Sequence, residues 1–314
     1  MHIVIVGAGA LGSLFGGLLA RSGEKVWLYN PSFRAHIEAI RARGLLIETD
    51  KAVWRIQVSA TTDLSEIEPP VDLLGLFVKA YDTKAALEGV RPLIGPQSWA
   101  LSLQNGLGSE EIIARFVPTA RLLRGSTAQG ATLLEPGRIR WAGQGPTLLG
   151  LLPGVAQPPQ PQAQEIIAAL GRAGLPAGFT RQLEAVLWEK LLVNAAINPL
   201  TALLDLPNGR LVEEPTLRVI LSDIIAEALP LARQHGVRLS PEEAVARVEQ
   251  VCRATSGNIS SMLQDLRGGK RTEIDFITGA LLEEGRRRGR SLPLNRLLWA
   301  LVAGSTRQAR HHRV

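Results

Sequence analysis

A short apolar run, Ile3-Val-Ile-Val6, passes directly into Gly7-Ala-Gly-Ala-Leu-Gly12, and Leu14, Phe15, Leu18 and Leu19 then recur at helical spacing. β-Branched residues without polar alternation suit a strand buried on both faces of a parallel sheet. Each glycine of the turn has a mechanical reading. Gly7 permits a tight exit from the strand, Gly9 lets the backbone approach a pyrophosphate, and Gly12 allows the helix to pack closely on the strand. The phosphates would lie over the helix N-terminus, which makes Gly7, Ala8, Gly9, Ala10, Leu11 and Gly12 the expected cofactor-binding turn. A second strand, Lys25-Val-Trp-Leu-Tyr29, follows Gly23. Strand, glycine turn, helix and strand in this order form the opening βαβ unit of a doubly wound, dinucleotide-binding domain.

The end of the second strand bears on which dinucleotide. NAD-binding domains commonly carry a carboxylate there for the ribose hydroxyls. This chain reads Asn30-Pro-Ser-Phe-Arg34 instead. No acid would repel a 2′-phosphate, and Asn30, Ser32 and Arg34 could donate to one, so NADPH/NADP⁺ is expected over NADH. The alternative is that Arg34 merely starts the next helix. Lys79 follows the apolar strand 71–78, and Asn105 follows the strand 99–103 within Gln104-Asn-Gly-Leu-Gly108. Ligands of open α/β sheets sit outside the carboxyl ends of the strands, where both residues should emerge. A solvated loop lysine and a plain Asn-Gly turn are the competing readings.

Further strands are expected at 121–124, 138–141 and 147–152 as later members of the same domain, then a loop at 156–164, a helix and a short strand near Phe179. From about residue 182 the pattern is helical: 183–204, 213–235, 241–254, 259–267, 272–289 and a final segment from Leu294, punctuated by Pro207-Asn-Gly209, Gly236 and Gly268-Gly269. The expected architecture is therefore α/β, a Rossmann-type doubly wound sheet over residues 1–181 followed by an all-α domain over 182–314.

The second domain opens on Trp188-Glu-Lys-Leu-Leu-Val-Asn-Ala-Ala-Ile-Asn198, an apolar helix with Lys190, Asn194 and Asn198 at successive four-residue steps. Such steps form one slowly drifting stripe. An amine and two amides among buried residues must find partners or face a cavity. A solvated surface stripe is the alternative, but asparagine is a poor helix former that surface helices usually replace. Farther on, Ser261 with Gln264 and Thr272 with Asp275 have capping-box spacing. A helix N-terminus also attracts anions, so a serine there could hold a substrate carboxylate. Glu273 reads either as a dipole-compensating surface residue or as a site carboxylate.

Composition excludes several classes. The net charge is +6, but the densest basic run, Arg286-Arg-Arg-Gly-Arg290, sits beside Glu283 and Glu284 at a helix end, and no zinc-finger spacing, RNA-binding signature or basic heptad is present. A small anionic ligand fits that charge better than nucleic acid. Cys252 is the only cysteine, so no intramolecular disulfide can form. No secretory leader and no apolar run of about 20 residues is visible, so a cytoplasmic protein without membrane partners is expected. The sequence offers no metal-ligand cluster.

Taken together, these segments resemble the ketopantoate reductase family (2-dehydropantoate 2-reductase). The resemblance rests on Gly7–Gly12, Val78-Lys-Ala80, Gln104-Asn-Gly-Leu-Gly108, Leu187 to Ala202, Pro207-Asn-Gly209, Asn258 to Arg267 and Thr272-Glu-Ile-Asp275, and so spans nearly the whole chain. It implies NADPH-dependent reduction of the C2 ketone of 2-dehydropantoate to (R)-pantoate, in pantothenate synthesis. It implies Lys190 as the proton donor, with Asn194, Asn198, Asn208 and Ser261 holding substrate. Lys79, Asn105, Glu273 and the backbone near Ala131 would lie around the cofactor or bridge it to the substrate, and Glu273 counts with Lys190 as catalytic. Oligomeric state stays open, with a homodimer as the candidate.

The chemistry agrees with these roles. Hydride arriving at a ketone carbon creates an alkoxide, which needs a cation or proton source within hydrogen-bond reach. Several relatives carry an arginine just after the second strand, where this chain has Asn30 to Ser32 and only later Arg34. Two other functions compete: a reductase of another 2-keto acid, and a non-catalytic NADP(H) sensor.

Overall fold

Four consecutive buried residues set the plan of the first unit. β1 (His2–Val6) carries Ile3, Val4, Ile5 and Val6, all 2% exposed or less, which only a strand covered on both faces can achieve. The computed structural model describes residues 1–155 and 160–311, with side chains through Ser305. Contacts divide the chain into two compact units, Met1–Gln104 with Ser109–Leu183, and Asn105–Gly108 with Glu184–Val314.

In the first unit β1 is followed by α1 (Ala10–Arg21), β2 (Lys25–Tyr29), α2 (Arg34–Arg43), β3 (Leu45–Glu48), β4 (Val53–Ile56), β5 (Ser59–Thr61), β6 (Val71–Leu76), α3 (Thr83–Gly89) and β7 (Ile94–Ser102). Then come α4 (Ser109–Ile113), β8 (Leu122–Thr127), β9 (Gly130–Glu135), β10 (Arg138–Gly143), β11 (Thr147–Leu151), α5 (Pro161–Arg172) and β12 (Ala177–Phe179). Eight strands form one sheet in the order β12-β11-β8-β7-β6-β1-β2-β5. The six from β5 to β8 run parallel in the doubly wound order, and β11 joins antiparallel to β8. The winding reverses between β1 and β6, so the crevice outside their carboxyl ends is where such a sheet takes a ligand.

Two expectations need correction here. The strand at 138–141 belongs to a second sheet, β4-β3-β10-β9, in which β10 pairs parallel with β3. The loop at 156–164 already gives way to α5 at Pro161, because proline at the first helical position loses no hydrogen bond. Residues 156–159 of that loop lie outside the described ones.

The second unit contains α6 (Leu183–Leu204), α7 (Arg210–Glu213), α8 (Pro215–Gln234), α9 (Pro241–Ala254), α10 (Ser261–Arg267), α11 (Thr278–Arg287) and α12 (Pro293–His311). Among the described residues no strand follows Phe179, and no helix is long and apolar enough to cross a membrane. Trp188, Leu191, Leu192, Ala195, Ala196, Ile197 and Leu200 bury α6 in the unit's apolar core, against residues such as Leu221, Ile224 and Val248. Pro199, inside α6, lacks the N–H that would bond the carbonyl of Ala195, which loosens the helix beside Asn198.

The helix expected at 272–289 starts only at Thr278. The preceding residues are turned instead, with Phe276 N–H donating to Glu273 O at 3.0 Å and Gly279 N–H to Ile274 O at 2.9 Å. Thr272 is therefore no cap. Its hydroxyl is buried without a partner among the described residues, while Asp275 accepts from Trp299 Nε1 at 2.9 Å and Arg271 at 3.1 Å. The cap of α10 is likewise not Ser261 but Ser260, whose Oγ accepts from Leu263 N–H at 3.1 Å.

Candidate functional site

The glycine turn of the first unit sorts its three glycines by what surrounds them. Gly7 has φ +97°, and a Cβ there would come within 2.6 Å of Val78 N. A Cβ on Gly12 would lie 2.4 Å from Gly7 O. A Cβ on Gly9 would meet nothing within 4 Å. The first two positions are closed by the protein itself, whereas the third opens outward. Ser13 N–H donates to Gly9 O at 2.9 Å, and among the described residues the N–H groups of Ala10, Leu11 and Gly12 have no backbone acceptor. No acidic residue occupies the first turn of α1. Unsatisfied donors at a helix N-terminus beside an open glycine are what an anionic dinucleotide requires.

The start of α1 is held from behind by His36. Its Nδ1 accepts from Gly137 N–H at 3.0 Å, so the other nitrogen, Nε2, donates to Ser13 Oγ at 2.9 Å. This ring is fully buried, and burial pushes its pKa down to about 4, keeping it neutral. After β2, Asn30 Oδ1 accepts from Ser32 N–H at 3.2 Å and Ser32 Oγ at 3.0 Å, a small turn that leaves the Asn30 amide nitrogen available as a donor. Arg34 begins α2, as its alternative reading expected, and approaches Glu38 at 3.7 Å with 75% of its side chain exposed. Lys79 is half-buried just past β6, at the carboxyl edge. Ala131 lies opposite Trp141 in β9, which belongs to the second sheet but packs on α1.

In the second unit the polar stripe sits on a buried helix. Lys190 and Asn194 are half-buried and Asn198 is 6% exposed. Among the described residues neither the Asn194 nor the Asn198 carboxamide has a hydrogen-bond partner. The Asn198 carbonyl accepts from Thr201 Oγ1 at 3.1 Å, and the same hydroxyl reaches Ser260 Oγ at 2.8 Å, which ties this end of α6 to the start of α10. Ser261, exposed, is the first residue of α10. Asn208 is anchored nearby in sequence terms to the same segment, since its N–H donates to Asn258 O at 2.9 Å and its Nδ2 to Thr255 Oγ1 at 2.9 Å. Its Oδ1 is buried without a partner among the described residues. Asn198, Asn208 and Ser261 are thus gathered by the segment 255–261.

Asn105 is bonded through Nδ2 to Glu273 Oε2 at 3.3 Å. Leu107 N–H donates to Phe276 O at 2.9 Å, and Gly106, at φ +80°, lies where a Cβ would meet that same carbonyl at 2.1 Å. Glu273 is 5% exposed and sits before α11 rather than in its first turn, so the surface-residue reading falls. Sequence reasoning gave Gln104 no role, although its buried carboxamide bridges the segments after β6 and β7. A glutamine where a strand ends beside a site turn was the available signal.

The model of the family "Ketopantoate reductase PanE/ApbA" matches residues 3–154, and that of its C-terminal part matches residues 182–306. The 2-dehydropantoate 2-reductase of Pyrococcus horikoshii is 41% identical over 304 residues, covering 96% of each chain. Among solved structures, D-mandelate dehydrogenase in a ternary complex with NADH and anilino(oxo)acetate is 30% identical with a TM-score of 0.91, over 99% of this chain and 100% of that one. A PanE/ApbA family ketopantoate reductase from Ralstonia eutropha is 30% identical with a TM-score of 0.87, again over 99% and 100%.

Proposed function

The chain belongs to the ketopantoate reductase family, and we propose that it is an oxidoreductase that reduces the C2 ketone of 2-dehydropantoate to (R)-pantoate with NADPH. Residues 1–181 would take the cofactor and residues 182–314 the substrate. The observation that carries the reading is the stripe on α6: two carboxamides without hydrogen-bond partners among the described residues, beside an amine, on a helix otherwise buried in apolar core.

A reduced nicotinamide, when bound, supplies the hydride. The open side of Gly9 and the N–H groups of Ala10 to Gly12 suit its pyrophosphate, with Gly7, Ala8 and Leu11 completing the turn. Asn30, Ser32 and Arg34 are proposed to meet a 2′-phosphate. The D-mandelate dehydrogenase structure holds NADH, so the preference for NADPH rests on this chain's own lack of a carboxylate after β2. Lys79 and the backbone of Ala131 complete the cofactor's surroundings.

Lys190 donates the proton that converts the developing alkoxide to the hydroxyl, so ketone, hydride and proton together give the alcohol. Asn194 and Asn198 orient the substrate's oxygens. Asn208 and Ser261 offer an amide and a hydroxyl to its carboxylate and hydroxyl groups. Asn105, paired with Glu273, bridges cofactor and substrate. Because Glu273 accepts from the Asn105 amide, it fixes which way that amide's oxygen faces.

The D-mandelate dehydrogenase likeness favours one second reading, reduction of a different 2-keto acid. Steady-state oxidation of NADPH, compared across 2-dehydropantoate, benzoylformate, 2-ketoisovalerate and pyruvate, separates the two. The expected result is a kcat/KM for 2-dehydropantoate at least about 100-fold above the others, the discrimination that buried polar contacts to its hydroxyl can supply. Equal values across the four would overturn the substrate assignment, and no turnover with any of them would favour a sensor.

A further inference from the structure

Gln104 closes β7's exit with a side chain that is 7% exposed, and both its N–H groups and its oxygen are engaged. Nε2 donates to Val78 O at 2.8 Å and to Thr83 Oγ1 at 2.8 Å, while Oε1 accepts from Ser102 Oγ at 3.0 Å. A carbonyl can only accept, so the nitrogen must face Val78 and the orientation of the amide is fixed by its partners. Thr83 passes the constraint on, donating from Oγ1 to Ala80 O at 2.8 Å. The carbonyl between them, that of Lys79, accepts from Asp82 N–H at 2.8 Å. Three successive carbonyls, 78 to 80, are therefore held, two of them through the one carboxamide. Val78 is also the residue whose backbone nitrogen closes the space at Gly7.

We propose that Gln104 is a positioning residue for the reaction. It acts through Lys79 by fixing the main chain from which that side chain reaches the cofactor. The inference rests on the cofactor role given to Lys79 above. Lysine is a point charge on a flexible stem, so the place where its Cα is held decides where the charge can work. Ser102 and Thr83 are fully buried, and a side chain bonded to Val78 on one flank of Lys79 and through Thr83 to Ala80 on the other leaves that Cα little freedom.

Gln104→Glu keeps the shape but removes both donors and sets a carboxylate oxygen against the Val78 carbonyl. Titration of the full chain with NADPH, read by cofactor fluorescence without substrate, should show Kd rising about 10-fold in the wild-type background and less than about twofold in a Lys79→Ala background. Thr83→Val should shift Kd in the same direction, and Thr83→Ser should restore it. Should Gln104→Glu not fold, the Thr83 pair carries the same cycle. Equal rises in both backgrounds, or no rise in the wild type, would overturn the proposal, since a merely structural contact would be blind to Lys79. Lys79→Ala binding NADPH like wild type would instead remove the cofactor role of Lys79 itself. Weakened binding by Lys79→Ala with none by Gln104→Glu leaves that role standing and removes only the positioning.

Discussion

Gly9 and Gly12 differ by three residues and should fail in opposite ways when each becomes alanine. A methyl on Gly12 would stand 2.4 Å from Gly7 O and 3.1 Å from Ile5 Cγ2 and Phe77 Cβ, and the nearest of these is backbone that cannot swing aside. Overpacking of this kind costs roughly 1–3 kcal/mol, and the clash with main chain puts Gly12→Ala near the top of that range. Alanine's better helix propensity returns at most about 1 kcal/mol, leaving a net loss of about 2 kcal/mol. For a unit of this size that is roughly a 4–8 °C fall in melting temperature.

Gly9→Ala meets nothing within 4 Å, and Gly9's φ of −90° is open to any residue. Alanine is a poorer N-cap than glycine by several tenths of a kcal/mol, but it narrows the unfolded ensemble by a similar ~0.4–1 kcal/mol. Apo stability should therefore stay within about 2 °C of wild type. The methyl instead fills the side on which the pyrophosphate would approach, so NADPH Kd should rise 10- to 100-fold, about 1.4–3 kcal/mol. Thermal melts of the apo proteins and NADPH fluorescence titrations measure the two effects separately. Wild-type NADPH affinity in Gly9→Ala would refute the placement of the pyrophosphate. A melting temperature lowered as far as in Gly12→Ala would refute the steric reasoning.

Lys190→Ala should lower kcat by ~10² or more while NADPH Kd moves less than about twofold, as expected of a proton donor that does not bind the cofactor; near-normal turnover would remove Lys190 from the chemistry. Arg34→Ala should raise the Kd for NADPH by about 3- to 10-fold and leave that for NADH unchanged, because an exposed charge adds only modestly; equal effects on both would show that the 2′-phosphate is not read there. His36 is held neutral with a pKa of about 4 against an ordinary 6.5, so below pH 6.5 the unfolded chain takes up a proton that the folded one refuses. Its contribution is complete above pH 6.5 and is lost as pH falls toward 4, by up to about 3 kcal/mol. Urea midpoints of His36→Gln should therefore slope less over that window than those of wild type, and parallel slopes would count against it.

Local signals carried most of the fold. The helices at 183–204 and 241–254 match α6 and α9 residue for residue, because α6 is apolar on most sides and α9 has a one-sided apolar period and a Ser240–Glu243 capping box. What stayed hidden depends on partners distant in the chain. β3 and β4 are four residues each, and β10 finds β3 across some 90 positions, so no window of sequence contains the sheet they form. The late start of α11 has the same origin, since Phe276 O is claimed by Leu107 N–H. Ser260 caps α10 and Ser261 is its first residue, and a one-residue choice between adjacent serines is beyond what spacing resolves. The stripe on α6 was visible because its members share one helix. The Asn105–Glu273 pair was not, because 168 residues separate it.

On the proposed reading the two units would recognise their ligands by different means, and the residue choices follow. At the glycine turn the first would work with main chain, N–H groups at a helix start and a glycine that leaves room for the phosphates, so a Cβ in the wrong place matters more than side-chain identity within that turn. The second works with side chains on a buried helix, and these are amides rather than acids. A carboxylate at 194 or 198 would repel a substrate carboxylate. At 194, about one turn from Lys190, it would also hold the ammonium in its charged form and make the proton harder to give at the moment the alkoxide forms. Asparagine donates and accepts without either penalty. The acid in the set, Glu273, already accepts a hydrogen bond from Asn105 and so orients an amide.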